Sequence, residues 1–182
     1  DVACIAYEDL IYYQSFDRQK IAEQINELPL EKIVTQDWGY IIRTIHPQLP
    51  CDFLVGWTRE PAISSVLINQ VKAKISSSFL TQTQEEVLRL EKALLVGEKE
   101  IVKQSLEKVS CLLLQLSPAI YNEKLRALKR SSQGLDCMAK SSGAGGGDCG
   151  IALSFDSKAS QILVERWQAA GIEVLYKERW DR

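Results

Sequence analysis

A run of glycines near residue 145 is the sequence feature that most constrains how this chain can fold. Five glycines lie within residues 143–150, in the stretch Lys140-Ser141-Ser142-Gly143-Ala144-Gly145-Gly146-Gly147-Asp148-Cys149-Gly150. Glycine loses more backbone entropy on ordering than any other residue, so such a run is poorly suited to a plain turn. It suits a backbone that takes positive φ repeatedly or approaches another group closely, and successive N–H groups in such a loop can converge on an anion. With Lys140 and two hydroxyls at its entrance, the run predicts a loop that cradles, or packs against, a phosphate.

Composition limits the classes of function. The 182 residues carry a net charge of −2 and no basic run, which disfavours nucleic acid as a partner. No apolar stretch approaches the ~20 residues that a membrane span needs, and no signal peptide is visible. Five cysteines at scattered spacings indicate reduced, cytoplasmic thiols. The single histidine, His46, disfavours a zinc site and a histidine-based hydrolase.

The first residues predict that the chain is a piece of a longer protein. It begins with Asp1, and its only methionine is Met138. Residues 2–6 form an apolar run with no helix cap before them, so the sequence is expected to start inside an element.

The first 46 residues predict a small mixed region. Residues 1–8 predict a short buried helix, residues 10–16 a strand rich in β-branched and aromatic side chains, and residues 38–45 a second strand. Asp17 is a good N-cap for a helix over residues 18–28, which Pro29 ends. Two prolines, Pro47 and Pro50, then mark a domain boundary.

The remaining residues have more regular periodicities. Strands are predicted over residues 51–57, 135–139, 151–155 and 172–176, from apolar residues that alternate with period two. Five helices are predicted. The first follows Pro61 and ends near residue 76, and the second has Thr83 as its N-cap and ends at residue 96. The other three are expected over residues 98–116, 119–132 and 157–170. This order, one strand, several helices, two strands, a helix and a strand, indicates an α+β fold. The expected architecture is a split βαβ plan, with an antiparallel sheet and helices on one face.

The glycine run does not match the two commonest phosphate-loop patterns. A Walker A loop needs lysine after its glycines, whereas Lys140 precedes them. The dinucleotide fingerprint needs a third glycine where Asp148 stands, and it leads into a helix rather than a strand. What remains is a glycine-rich connection between two antiparallel strands. A plain hairpin without a ligand, a solvated Lys140, and an Asp148 that caps the loop's own N–H groups all stay open as interpretations.

The stretch from Lys140 to Gly150 resembles the third motif of the GHMP kinase superfamily, which is named for galactokinase, homoserine kinase, mevalonate kinase and phosphomevalonate kinase. It looks most like the phosphomevalonate kinase branch of Gram-positive bacteria. The resemblance extends along nearly the whole chain. Three further stretches carry it: Asp1-Val2-Ala3-Cys4-Ile5-Ala6, Tyr13-Gln14-Ser15-Phe16-Asp17 and Phe53-Leu54-Val55-Gly56-Trp57-Thr58.

This resemblance implies a fold and a division into domains. Members of the superfamily have an N-terminal domain like the ribosomal S5 fold and a ferredoxin-like C-terminal domain, with substrates in the cleft between them. Residues 1–48 would be the tail of the first domain, and residues 49–182 would be the second. The family's ATP-binding motif, Pro-x-x-x-Gly-Leu-Gly-Ser-Ser, and its early lysine do not occur in the sequence. The missing N-terminal half of the enzyme is therefore an expected partner, and we expect no kinase turnover from this chain alone.

The resemblance also implies an activity and its cofactors. It indicates ATP-dependent phosphorylation of (R)-5-phosphomevalonate to 5-diphosphomevalonate, with ATP and Mg²⁺ as cofactors and no metal site within the chain. Another GHMP member, mevalonate kinase or diphosphomevalonate decarboxylase, is an alternative. A non-catalytic binding module with the same fold is a second alternative.

The resemblance also implies site residues, each at a position that matches a motif of the family. Asp1 matches the family's aspartate near the transferred phosphate, although a helix N-cap is the structural alternative. The acceptor is a phosphate that is largely dianionic at neutral pH, so Asp1 would orient a lysine or Mg²⁺ rather than remove a proton. Phosphate or substrate contacts are expected from Lys140, Ser141, Ser142, Gly143, Ala144, Gly145, Gly146, Gly147 and Ser15. Weaker candidates are Ser64, Ser65 and Arg59, while Trp38 and Trp57 are expected in the core.

Overall fold

A computed structural model describes residues 2–62, 64–143 and 145–181, without the side chains of residues 64–66 and 68. The chain divides into two compact units, Asp1–His46 and Pro47–Arg182. This division lies two residues before the predicted one, next to Pro47.

Unit 1 has two paired strands and three helices. The strands β1 (Ile11–Gln14) and β2 (Ile41–Thr44) are antiparallel, with Ile11 opposite Thr44. Asp17 caps the second helix by accepting hydrogen bonds from the N–H groups of Gln19 and Lys20, as predicted. The elements are α1 (Val2–Tyr7), β1 (Ile11–Gln14), α2 (Arg18–Glu27), α3 (Leu30–Thr35) and β2 (Ile41–Thr44).

The predicted burial of the first helix is wrong. Helix α1 contains no buried residue, and Val2 and Ile5 are 82% and 76% exposed. Burial requires a covering surface, and none of the described residues supplies one over these side chains. A further helix, α3, was not predicted, because Pro29 ends α2 and also serves as the N-cap of α3.

Unit 2 is a four-stranded antiparallel sheet with helices packed against it. The strand order is β4-β5-β3-β6, with Phe53 of β3 opposite Leu153 of β5 and Glu178 of β6. This confirms the predicted α+β fold with an antiparallel sheet. The elements are β3 (Cys51–Trp57), α4 (Ser64–Lys72), α5 (Ser77–Val96), α6 (Lys99–Leu116), a 3-10 turn (Pro118–Ile120), α7 (Glu123–Arg130), β4 (Cys137–Ser141), β5 (Cys149–Ser154), α8 (Ser157–Ala169) and β6 (Glu173–Trp180).

The core of unit 2 lies between the sheet and its helices. Leu54, Ala139 and Ala152 from the strands pack with Leu163 and Trp167 of α8, all at most 1% exposed. The alternating set Cys51, Phe53, Val55 and Trp57 shares a sheet face, but it is the face opposite this core. Trp57, which lies on this face, is therefore only half-buried, and Trp38 of unit 1 is half-buried too, although both were expected in the core.

Three helices differ from the predictions. Helix α4 ends at Lys72 rather than near Ser76, and two others differ as follows. Thr83 is not an N-cap: α5 begins at Ser77 with Ser76 as its cap, and the Thr83 hydroxyl donates to the carbonyl of Phe79 inside the helix. The predicted helix over residues 119–132 is a 3-10 turn followed by α7, because Asn122 starts a new helix. None of the described helices is long and apolar enough to cross a membrane.

Candidate functional site

The glycine loop, residues 142–148, connects β4 to β5 at one end of the sheet. Ser141 of β4 lies opposite Gly150 of β5, and this is the last pair of the ladder. Both the N–H and the hydroxyl of Ser142 then donate to the carbonyl of Cys149, at 3.1 and 2.8 Å. The Ser142 hydroxyl, predicted to contact phosphate, thus closes the base of the loop in this structure.

Backbone conformation explains why the loop needs glycine. Gly145 and Gly146 both have φ of +81°, and Gly147 has φ of +148°. A Cβ atom on Gly145 would lie 2.3 Å from the carbonyl oxygen of Ile120, and one on Gly147 would lie 2.4 Å from that of Glu60. Gly143 differs, since its φ is not positive and a Cβ atom added there would meet nothing within 4 Å. Glycine is therefore required at positions 145 and 147, because the loop lies too close to the main chain of Ile120 and Glu60 to leave room for a side chain.

Residues 58–60, which follow β3, form the first anchor of the loop. The N–H and the hydroxyl of Thr58 both donate to the carbonyl of Asp148 at 2.8 Å. In return, the N–H of Asp148 donates to the carbonyl of Glu60 at 2.6 Å. Arg59 between them has φ of +61°, a conformation that costs a non-glycine residue about 1–3 kcal/mol and that persists only where surrounding contacts enforce it.

Residues 120–122, which precede α7, form the second anchor. The N–H of Gly146 donates to the carbonyl of Ile120 at 2.8 Å. The Tyr121 hydroxyl accepts the N–H of Ser141 at 3.3 Å, and Nδ2 of Asn122 donates to the carbonyl of Gly146 at 3.3 Å. Three consecutive residues thus hold both the start and the middle of the loop.

These anchors use some of the loop's N–H groups and leave others unused. The N–H groups of Gly146 and Asp148 donate to Ile120 and Glu60. Those of Gly143, Gly145 and Gly147 donate to no acceptor within the part of the chain that the structure describes. Unused N–H groups in a glycine loop are the donors that bind an anion. Alternate N–H groups of the loop are thus bonded to its own protein, and those between them have no protein acceptor among the described residues.

Lys140 and Ser141 stand at the loop entrance in different surroundings. The Lys140 ammonium donates to the carbonyl of Ser141, and burial lowers the pKa of this lysine to about 8. The Ser141 hydroxyl is fully buried and has no hydrogen-bond partner among the described residues. Burial makes the charged form of a lysine less favourable, and a nearby anion would stabilise that charged form.

Ser15 and Arg59, two other predicted site residues, have partners of their own. Ser15 lies in unit 1, where it is exposed and its hydroxyl donates to the carbonyl of the adjacent Phe16 at 3.2 Å. Arg59 is paired with Glu173, at 2.8 Å from Nη2 to Oε2. Ser64 is the first residue of α4, but its side chain and that of Ser65 lie outside the described parts of the chain, as do Asp1 and Ala144.

The Asp148 carboxylate makes no hydrogen bond with the described residues, so the predicted cap of the loop's own N–H groups is not seen. The main chain of Asp148, rather than its side chain, holds the loop. Across the described ranges, no group of three or more His, Cys, Asp or Glu side chains could hold a metal ion.

Thr58, Tyr121 and Asn122 are the contributors that sequence reasoning missed. One signal was available: Asn122-Glu123 is a good helix start, with an N-cap followed by an acidic first turn. Their contact with the loop had no local signature, because Thr58 is 90 residues from Asp148.

Comparison with known proteins gives consistent matches. The family model "GHMP kinases C terminal" matches residues 90–173. A curated phosphomevalonate kinase from Streptomyces sp. (strain CL190) is 29% identical over 186 residues, which cover 94% of this chain and 50% of that protein.

Solved structures agree with these sequence matches. The Streptococcus pneumoniae phosphomevalonate kinase in complex with phosphomevalonate and AMPPNP is 52% identical, with a TM-score of 0.96 over 98% of this chain and 54% of that one. The Lin0012 protein from Listeria innocua is 30% identical, with a TM-score of 0.86 over 94% of this chain and 51% of that one. The chain thus spans about half the length of these relatives.

Proposed function

We propose that this chain, whose residues 90–173 match the model of the GHMP kinase C-terminal domain, is the C-terminal part of an ATP-dependent phosphomevalonate kinase. The reaction is transfer of the γ-phosphoryl group of ATP to (R)-5-phosphomevalonate, which gives 5-diphosphomevalonate. The observation that carries the proposal is the 52% identity, over 98% of this chain, to a kinase whose solved complex contains phosphomevalonate and AMPPNP. The free thiols of all five cysteines favour a cytoplasmic location.

The glycine loop supplies hydrogen-bond donors in this proposal. Phosphoryl transfer requires little of the protein beyond positioning and compensation of charge. The unused N–H groups of Gly143, Gly145 and Gly147 are suited to phosphate oxygens, and Lys140 adds a positive charge at the loop entrance. Ligand binding would raise the lowered pKa of Lys140, so binding near pH 8 would be accompanied by partial uptake of a proton.

The acceptor requires no general base. A phosphate monoester has its second pKa near 6, so its attacking oxygen is already ionised at neutral pH. Asp1 then orients a lysine or Mg²⁺, a role that rests on the family resemblance. The described residues offer no cluster of metal-ligating side chains. Mg²⁺ would neutralise charge on the transferred phosphates.

The partner of this chain is the remaining half of the enzyme. Its relatives are about twice as long, and the family's Gly-Leu-Gly-Ser-Ser motif is not in the sequence. Unit 1 also exposes an apolar cavity of about 530 Å³, lined by side chains that include Ile11, Phe16, Trp38 and Ile42. Such a cavity suits the hydrophobic surface of further N-terminal residues.

The test is a substrate comparison with two proteins. The full-length protein and this 182-residue chain are each assayed with ATP and mevalonate, phosphomevalonate or diphosphomevalonate. We expect turnover only with the full-length protein and phosphomevalonate. Preference for mevalonate, or decarboxylation of diphosphomevalonate, would assign another GHMP activity. No turnover with any of the three would favour a binding module, and robust turnover by the short chain would refute the need for the other half.

A further inference from the structure

The Asn122 side chain joins three segments that are distant in sequence. Its Oδ1 accepts the N–H of Leu125 at 2.9 Å and so caps α7. Its Nδ2 donates to Oε2 of Glu60 at 2.7 Å and to the carbonyl of Gly146 at 3.3 Å. One half-buried amide therefore connects a helix start, the first anchor and the centre of the glycine loop.

The contact with Gly146 fixes the plane of a peptide group. A peptide bond is planar and trans, so the carbonyl of one residue and the N–H of the next point in opposite directions. Since Nδ2 of Asn122 holds the Gly146 carbonyl, the N–H of Gly147 must point away from Asn122. That N–H is one of the donors that meet no acceptor among the described residues.

The peptides on either side are held by other groups. The N–H of Gly146 donates to Ile120, and the N–H of Asp148 donates to Glu60. These two contacts come from main-chain carbonyls, which side-chain substitutions leave in place. Of the peptides between residues 145 and 148, the one between Gly146 and Gly147 is held by a side chain.

We propose that Asn122 is a positioning residue, which orients the Gly146–Gly147 peptide so that the N–H of Gly147 donates to a phosphate group of the bound substrates. This inference rests on the proposed kinase function for the identity of the ligand. It assigns to Asn122 a role beyond its helix cap. Loss of that role affects catalysis through the loop, without removing a group that touches substrate.

Substitution by aspartate separates the two roles. Asn122→Asp keeps an oxygen that can cap α7, and a negative charge at a helix N-terminus is favourable. It removes both Nδ2 donations and places a carboxylate beside Glu60 and the Gly146 carbonyl. A second variant, Asn122→Asp combined with Glu60→Gln, restores a donor and an acceptor between positions 60 and 122 but not the bond to Gly146.

Steady-state kinetics of the full-length protein provide the first measurement. We expect Asn122→Asp to lower kcat/KM for phosphomevalonate about 10- to 100-fold, since misplacement by an ångström can cost about that much. In the double variant, thermal stability should recover while kcat/KM stays low. Recovery of both together would show that Asn122 acts only through Glu60, and unchanged kinetics in Asn122→Asp would equally overturn the inference.

The amide signal of Gly147 provides a measurement that does not depend on turnover. In the 182-residue chain, its ¹⁵N–¹H resonance should shift in Asn122→Asp, whereas that of Gly97, which ends α5 and lies against Gln48, should not. An unshifted Gly147 resonance would overturn the inference. An inactive wild-type enzyme with a shifted resonance would instead reject the kinase assignment and leave the positioning of the loop standing.

Discussion

The two units of the chain bury their hydrophobic side chains to very different degrees. In unit 2, a continuous core includes Leu54, Leu163 and Trp167, each fully buried. In unit 1, few large apolar side chains are buried, while Val2, Ile5 and Tyr40 are more than half exposed. The same chain therefore contains a domain with its own core and a region whose apolar surface needs a cover. Regular secondary structure is present in both, so helices and strands alone do not indicate a self-sufficient domain.

The largest expected effect comes from separating the units. A peptide of residues 1–46 should show no cooperative unfolding, because a chain of that size rarely buries enough apolar surface to fold without help. A protein of residues 47–182 should keep a cooperative thermal transition with a midpoint close to that of the whole chain. Circular dichroism with heating measures both. A cooperative transition in the short peptide would remove the distinction between the units.

Truncation of an apolar side chain should discriminate between the units in the same way. Leu163→Ala empties a fully buried position and should lower the free energy of unfolding by about 2–5 kcal/mol. Ile5→Ala, at a residue 76% exposed, should change it by less than about 0.5 kcal/mol in this chain. Urea denaturation of the two variants provides the values. In the full-length protein, Ile5→Ala should cost more, and an equal cost there would contradict the expectation of a covering surface.

Within unit 2, the glycine loop offers a matched pair of substitutions. Gly145→Ala brings a Cβ to within 2.3 Å of a main-chain oxygen at positive φ, and should cost roughly 2–4 kcal/mol. Gly143→Ala meets nothing within 4 Å and should be neutral to within about 0.5 kcal/mol. Thermal or urea denaturation of the two variants measures the difference.

The glycine pair also corrects an expectation from the sequence. Valine at Gly145 or Gly146 is expected from the glycine run alone to reduce catalysis far more than stability. The contact with Ile120 predicts a loss of both at Gly145. At Gly146 valine is also strained, because φ is +81° there, but its Cβ would meet only the flexible end of Leu67 at 3.2 Å, so the loss of stability should be smaller than at Gly145. A stable Gly145→Ala variant would show that the loop can move away from Ile120.

The smallest effect concerns ion pairs. Asp136 accepts from Lys99 at 2.8 Å and from Lys103 at 3.0 Å. The Lys99 hydrogen bond, with help from Lys103, holds the pKa of Asp136 below its ordinary value. The unfolded chain then binds the proton more tightly, so this stabilisation is complete above the ordinary pKa of about 3.9 and is lost as the pH falls through the folded value.

Asp136→Asn should therefore lower the free energy of unfolding by up to about 1 kcal/mol at pH 7. It should change nothing at a pH so low that Asp136 is protonated in both the folded and the unfolded protein. The matched variant in unit 1 is Asp9→Asn, whose contact with His46 is 3.8 Å long between exposed side chains and should cost less than about 0.5 kcal/mol. Denaturation midpoints between about pH 2 and pH 7 provide the comparison, since this range spans the titration of the carboxylate. A pH-independent loss in Asp136→Asn would contradict the linkage.

Elements with long, clear periodicity were predictable from the sequence. Strand β3 was predicted over the residues that form it, and α6 differs by one residue at its start. The start of α5 was not predictable, because residues 76–78 and Thr83 offered several hydroxyl caps and only the folded chain selects Ser76. The predicted burial of α1 was wrong because an apolar run implies a covering surface without showing that the same chain provides it.

The candidate site was predictable only in part, for a related reason. The glycine run indicated an unusual loop, because positive φ and close approach leave a mark in composition. The anchor residues could not be recognised in the sequence, because threonine, tyrosine and asparagine have no distinctive pattern outside the folded protein. Ser141 illustrates the limit: its hydroxyl looks available in the sequence, yet the pleat of β4 turns it into the core.

The anchors of the glycine loop also have a consequence for the order of folding. Thr58 and Asp148 are separated by 90 residues, Glu60 and Asn122 by 62, and Asn122 and Gly146 by 24. Contacts of such separation form late, because the chain must first be brought together at the expense of loop-closure entropy. The loop acquires its shape only when β3, the start of α7 and the β4–β5 hairpin are all in place. If the loop binds phosphate as proposed, that ability is then a property of the completed domain.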